Sequence, residues 1–214
     1  MDADIETLLP QAVGWWGKLP SRGDFVGRGL PRPWLRLWDD WLQRALADAS
    51  RQVEAALLRE RLLAMSPWQC LVLPSTAGQP AWNGVVTASS DRVGRVFPLL
   101  FAEAYDEPAL ERVDLAALRG RAAQIASWLR DAAPGSSPRE LEIAAARWAT
   151  AAWTSRATAG RPAPDGTLAG LRQGRPSAGS FWWRLEPPAH DGEVLGEPWP
   201  PRESLLLEWL AVPD

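Results

Sequence analysis

Two short stretches of this 214-residue chain set arginine beside aspartate on what read as tight bends: Ser21-Arg22-Gly23-Asp24 and Ser90-Asp91-Arg92-Val93-Gly94-Arg95. Those residue types support two kinds of chemistry. A carboxylate whose pKa is tuned by a cleft serves as a general base or nucleophile, which makes Asp24 and Asp91 the candidates for a hydrolase-like reaction. Guanidinium groups held in place bind carboxylate or phosphate through paired planar hydrogen bonds, which makes Arg22, Arg92 and Arg95 candidates for recognising an anion, a nucleotide or a partner's backbone. A purely local reading competes with both. Each aspartate can accept backbone N–H groups in its own Asx turn while arginines cross the sheet edge to pair with it.

Other reactive groups are scarce. The one histidine, His190, lies in the proline-rich polar run "PPAHDGE" and reads as an exposed loop residue. The one cysteine, Cys70, sits in the apolar run "WQCLVL", where a thiol behaves as a small hydrophobe with a raised pKa. No CxxC, HExxH, GxSxG or phosphate-binding loop occurs, and one His with one Cys cannot build an ordinary zinc site. A site made only of carboxylates would need Asp24, Asp91, Glu103 and Asp106 to converge, and their spacing matches no metal-binding loop. No catalytic residue, metal or cofactor is therefore expected.

Composition narrows the class further. With 46% hydrophobic and 23% charged residues the chain can cover one sizeable core. A formal net charge of −3 argues against a general nucleic-acid binder, which needs a positive surplus to displace counterions. A lone cysteine and the lack of a signal-like start predict a cytoplasmic location, where the Arg22-Gly23-Asp24 triplet has no adhesion receptor to meet. No apolar run is long enough to insert directly into a membrane. The fourteen tryptophans are spread over nearly every segment; most belong in a core, with two or three expected to face a partner.

The bends need elements to hold them. Val13 to Leu19 reads as a short strand closed by Pro20. Pro31 and Pro33 open a helix striped by Trp34, Trp38, Trp41 and Ala45, and a second helix follows over about Arg51 to Ala64. Trp68–Leu73, Trp82–Ala88 and Val96–Glu103 read as a meander, with residues 89–95 as its tight connection. Asp114 is placed to cap a helix, and Ser137-Pro138-Arg139-Glu140 is a capping box for the next. Residues 180–185 read as a returning strand and Leu205–Leu210 as a last short helix. Residues 1–12 are expected to fray and 155–179 to form a long loop. The sum is one domain over 1–214: an α/β single-domain sandwich whose central mixed or antiparallel sheet is flanked by helices.

Three blocks carry a resemblance. "GWWGKLPSRGDFVGRGLPRPWLRLWDDWLQRAL" (14–46), "WNGVVTASSDRVGRVFPL" (82–99) and "GSFWW" (179–183) resemble the TagF family, also called ImpM, of bacterial type VI secretion. The resemblance implies a non-catalytic cytoplasmic accessory protein that represses secretion post-translationally. It would do so by binding a forkhead-associated-domain scaffold protein of the apparatus, in parallel with a threonine kinase and phosphatase pathway. Some relatives are fused to the phosphatase; a chain of this length is expected to be the stand-alone form. The candidate binding positions on these blocks are Trp15, Lys18, Asp24 and Phe25 in the first, with Ser21 and Arg22 at the open positions between them, Ser90, Asp91, Arg92 and Arg95 in the second, and Trp182 and Trp183 in the third. If the two bends lie together, they form a polar face flanked by exposed tryptophan.

Overall fold

The computed structural model describes residues 5–76, 78–132, 135–156, 166–175, 178–185 and 194–211. In chain order its elements are β1 (Ile5–Leu8), β2 (Ala12–Gly17), β3 (Val26–Arg28), α1 (Arg32–Gln52), α2 (Ala55–Leu63), β4 (Trp68–Val72), β5 (Ala81–Ser90) and β6 (Val96–Tyr105). There follow α3 (Glu107–Glu111), α4 (Leu115–Ala132), α5 (Pro138–Thr150), β7 (Trp153–Arg156), α6 (Leu168–Gly174), β8 (Ser180–Arg184), β9 (Leu195–Glu197) and α7 (Leu205–Leu210). Seven strands form one sheet in the order β3-β2-β6-β5-β4-β8-β9, antiparallel throughout, and β1 pairs with β7 in a separate ribbon. Helices cover both faces, so the chain has an α/β fold.

Alternation along the strands sorts the core. Successive side chains point to opposite faces, so the pairs Trp15/Trp16 and Trp182/Trp183 straddle the sheet. Trp16 and Trp182 join the face packed by α1, α2 and α7, where Trp38, Trp41, Leu58, Leu62, Leu206 and Trp209 meet Cys70, Val86 and Leu100. Trp15 turns to the other face, against Ile125 and Leu129 of α4 and Leu141 of α5. Trp183 lies on that side too, among Leu118, Leu168 and Phe181. Trp38 is the hub of the indole layer, with ring centroids 5.3 Å from Trp41, 6.1 Å from Trp182 and 6.5 Å from Trp209.

Local signals account for the helix ends. Pro33 falls in the first turn of α1, where its missing N–H costs no hydrogen bond. α1 runs to Gln52, and the second helix starts later than its apolar pattern suggests: Glu54 accepts the N–H groups of Ala56 and Leu57 at 2.9 and 3.1 Å and caps α2. Asp114 accepts the N–H of Ala116 at 2.8 Å, and the Ser137/Glu140 box closes in both directions.

Two segments differ from expectation. Within 1–12, Ile5–Leu8 is not frayed but pairs with Trp153–Arg156; within 155–179, the expected loop holds the end of β7 and the helix α6, capped by Thr167. Both depend on partners far away in the chain, with Leu8 paired to Trp153 and the Asp114 N–H bonded to Ser155 Oγ at 2.9 Å. A short edge ribbon buried on one side leaves no local periodicity to read.

Candidate functional site

The two arginine–aspartate bends lie against each other. β2 and β6 are paired neighbours in the sheet, and β6 pairs with β5 over its full length, so the segment leaving β2 meets the β5–β6 turn at one end. The first bend is closed by the N–H of Arg22 donating to Leu19 O at 2.9 Å. The second is closed by Asp91 N to Arg95 O at 3.0 Å and Gly94 N to Asp91 O at 2.9 Å, with Gly94 in the left-handed region at φ 81°.

Asp91 is the knot between them. Its Oδ1 accepts the backbone N–H groups of Val93 and Arg95 at 3.0 and 2.9 Å; its Oδ2 accepts from Lys18 Nζ at 3.0 Å and Arg95 Nε at 2.6 Å. Burial alone would push this carboxyl up, but the Arg95 N–H, the Lys18 ammonium, the Arg95 guanidinium and the Val93 N–H outweigh it and hold it well below the usual carboxylate range. Three further bonds join the loops: Arg92 N to Arg22 O at 2.9 Å, Arg95 Nη2 to Gly23 O at 3.1 Å, and Ser89 Oγ to Lys18 O at 2.6 Å. A carboxylate has about four acceptor positions, and all four of Asp91 face protein donors. That leaves it no lone pair for a substrate proton, so the hydrolase-like role read for Asp91 gives way to a bracing role.

The remaining candidates divide between surface and interior. Arg22, Asp24 and Arg92 are exposed, and among the described residues none of their side chains has a hydrogen-bond or ion-pair partner. Ser21 is exposed, with Oγ donating to Ser136 O at 3.1 Å, and Ser90 is half-buried. Phe25 keeps 42% of its surface in solvent while stacking on Trp16 at 4.9 Å and meeting Phe97 edge-on at 4.6 Å. Lys18 Nζ sits 5.0 Å from its ring centroid. Trp15, Trp182 and Trp183 are buried, and β4 lies between β8 and the β5–β6 hairpin. The expected rim of exposed tryptophan is thus corrected: all fourteen indoles are buried or half-buried, because alternation sends each side of a Trp-Trp pair into a helix-covered face.

A groove of about 750 Å³ opens beside the knot, lined by the Ser21–Arg28 segment together with Trp15, Trp16, Leu35, Arg92, Pro138 and Glu142. A second cleft, of about 330 Å³, lies at the Trp82 end of β5 among Pro31, Pro33, Trp34, Leu37, Pro74 and Trp199, with Ser75 and Gln79 beside the indoles among its described lining residues. No group of three His, Cys, Asp or Glu side chains among the described residues is placed to hold a metal ion, and His190 lies outside the described residues. Cys70 is buried, with its thiol pushed up to about 12 by burial.

Sequence reasoning missed two features. Ser89, the neighbour of Ser90, makes the bond to Lys18; its signal was only its place at the head of the "SSDR" run. The other is a buried tie in which Glu103 accepts from Arg121 Nη2 at 2.6 Å and Tyr105 OH at 2.7 Å, while Trp153 Nε1 donates to Tyr105 OH at 2.9 Å. Burial, then the Glu103 charge, raises the Tyr105 hydroxyl above its ordinary pKa. Arg121 stacks 4.3 Å from the Trp148 ring and spans α4 to β6, a pairing that nothing in the local pattern marks.

The fold is an antiparallel sheet between helix layers with two interlocked loops at one end, and the chain is of the type VI secretion-associated class. Residues 14–149 match the model of the TagF N-terminal domain, type VI secretion system-associated, and the chain belongs to the TagF family. Among solved structures it is similar to PA0076 from Pseudomonas aeruginosa PAO1, at a TM-score of 0.60 and 32% identity over 80% of this chain and 81% of that one. No curated protein sequence matches.

Proposed function

We propose that this chain is a non-catalytic cytoplasmic repressor of type VI secretion, acting after translation by binding a forkhead-associated-domain scaffold protein of the apparatus. Membership of the TagF family supports the secretion role. The observation that favours docking over chemistry is the knot at Asp91. Every acceptor position of its carboxylate faces a protein donor, and the result is two loops locked into one stiff face with Arg22 and Arg92 exposed on it. Rigid loops lose little entropy on binding, which suits recognition. Repression then follows by mass action: scaffold held by this chain is withdrawn from assembly. No helix of the described residues is long and apolar enough to cross a membrane.

The test is copurification from cells expressing the apparatus. The tagged chain should retain the scaffold, and its overproduction should lower secretion. Loss of secretion control without scaffold recovery, by a folded protein at matched expression, sinks the reading.

A further inference from the structure

We propose that the groove beside Asp91 takes an acidic segment of the protein partner, with carboxylates flanking an apolar or aromatic side chain. This deepens the docking reading and rests on it. The chain as a whole is acidic, with a formal net charge of −3. The groove and its knot invert that sign: Lys18, Arg22, Arg28, Arg92 and Arg95 stand against Asp24, Asp91 and Glu142. Asp91 is fully spent on Lys18 and Arg95, and Glu142 faces Arg28 across 3.7 Å on the far rim. Lys18 and Arg95 share the one Asp91 carboxylate and Arg22 and Arg92 stand against Asp24 alone, so each group keeps one positive charge in excess, and in the groove itself that excess is carried by Arg22 and Arg92.

Geometry turns that surplus into a recognition element. The 2.9 Å bond from Arg92 N to Arg22 O fixes the two backbones side by side, so both guanidiniums rise from one stiff junction. Two such groups can each make paired bonds to a carboxylate without first ordering a loop. Beside them stand two exposed apolar side chains, Phe25 at 42% and Val93 at 68%. Phe25 is held in place by Trp16 and Phe97. A charged pair next to a fixed aromatic is the make-up of an interface anchor, and it matches a peptide that offers both charge and an apolar group. A nucleic acid offers phosphate in place of carboxylates and an apolar side chain, and is the competing occupant.

The experiment measures binding of the purified full chain to the purified scaffold between about 50 and about 500 mM salt, where the Debye length shrinks several-fold. The wild type should weaken about tenfold across that range, as steered charged interfaces do. Arg22→Glu/Arg92→Glu should weaken binding at least as much at low salt and keep the wild-type melting profile; Phe25→Ala should weaken it without changing the salt slope. A glutamate–leucine peptide should displace the scaffold where an oligothymidylate of equal charge does not. Salt-independent wild-type binding, full binding by the folded charge-reversed variant, or displacement by the oligothymidylate alone overturns the acidic-segment assignment while leaving docking intact. No binding by the wild type at all overturns the docking reading, and this inference with it.

Discussion

Lys18, the only lysine of the chain, donates from Nζ to Asp91 Oδ2 at 3.0 Å, joining the end of one strand to a hairpin 73 residues further on. Asp91 has no exposed side-chain surface and Lys18 has little, so the pair acts as a fastener, and the recognition proposed above would fall to its exposed neighbours. Most of what can be tested follows from that division of labour.

Removing the fastener should loosen both bends together. Asp91→Asn loses the charged partner of Lys18 and Arg95, and should lower the melting temperature and scaffold binding in parallel. The pH dependence has a definite sign. Because the folded carboxyl is held low, its stabilising effect is complete above the unfolded value of about 3.9 and erodes as the pH falls below it toward the lowered folded value. The gap in urea midpoint between wild type and Asp91→Asn should stay constant from neutral pH down to about 5 and narrow below about 4.

The Glu103–Arg121 tie should behave as a buried ion pair. Arg121→Met alone strands the Glu103 carboxylate and should cost about 3–5 kcal/mol in urea unfolding. Glu103→Leu/Arg121→Met should recover much of that loss, since the apolar pair strands no charge. A double variant as weak as the sum of the single changes would show that the two do not act as a pair.

Core and surface apolar residues should separate cleanly. Trp38 is fully buried, and Trp38→Ala should cost about 3–5 kcal/mol. Val93→Ser at the exposed hairpin tip should change stability by less than about 0.5 kcal/mol while weakening scaffold binding. Calorimetry with a pull-down separates the two effects.

Glycine positions should divide by space. Gly94 has a positive φ with nothing closer than Arg59 Nη2 at 3.9 Å, so Gly94→Asn should be tolerated. Gly29 has φ 79° and a side chain there would meet Val13 O at 2.2 Å, so Gly29→Ala should fail to accumulate as folded protein. Soluble yield and circular dichroism decide.

Cys70 should be silent toward a disulfide reagent at neutral pH and react only on unfolding, because burial pushes its thiol up to about 12. Rapid labelling of the native protein would contradict the buried strand.

What was legible in the sequence was whatever repeats within one element or is capped within one turn. The α1 tryptophan stripe, the Ser137/Glu140 box, the β5–β6 hairpin and the return of β8 to the sheet all appear as read. The adjacent arginine and aspartate of each bend were visible as types, and so was the local alternative in which Asp91 braces its own turn. Strand β1 was not visible because its pairing with β7 joins residues 5–8 to residues 153–156, far apart in the chain, and β3 and β9, which pair with the neighbouring β2 and β8, were not visible because three residues are too few to show an alternation.

By itself the sequence determined the α/β class, the family and the absence of familiar reactive motifs, since these depend on residue type and short-range spacing. Only the tertiary structure decided which side chains the surface shows. It buried Trp15, Trp182 and Trp183, spent Asp91 on Lys18 and Arg95, and left Arg22, Arg92 and Phe25 facing solvent. Exposure and hydrogen-bond saturation depend on what the rest of the chain packs against a residue, and that is a sum over contacts remote in sequence.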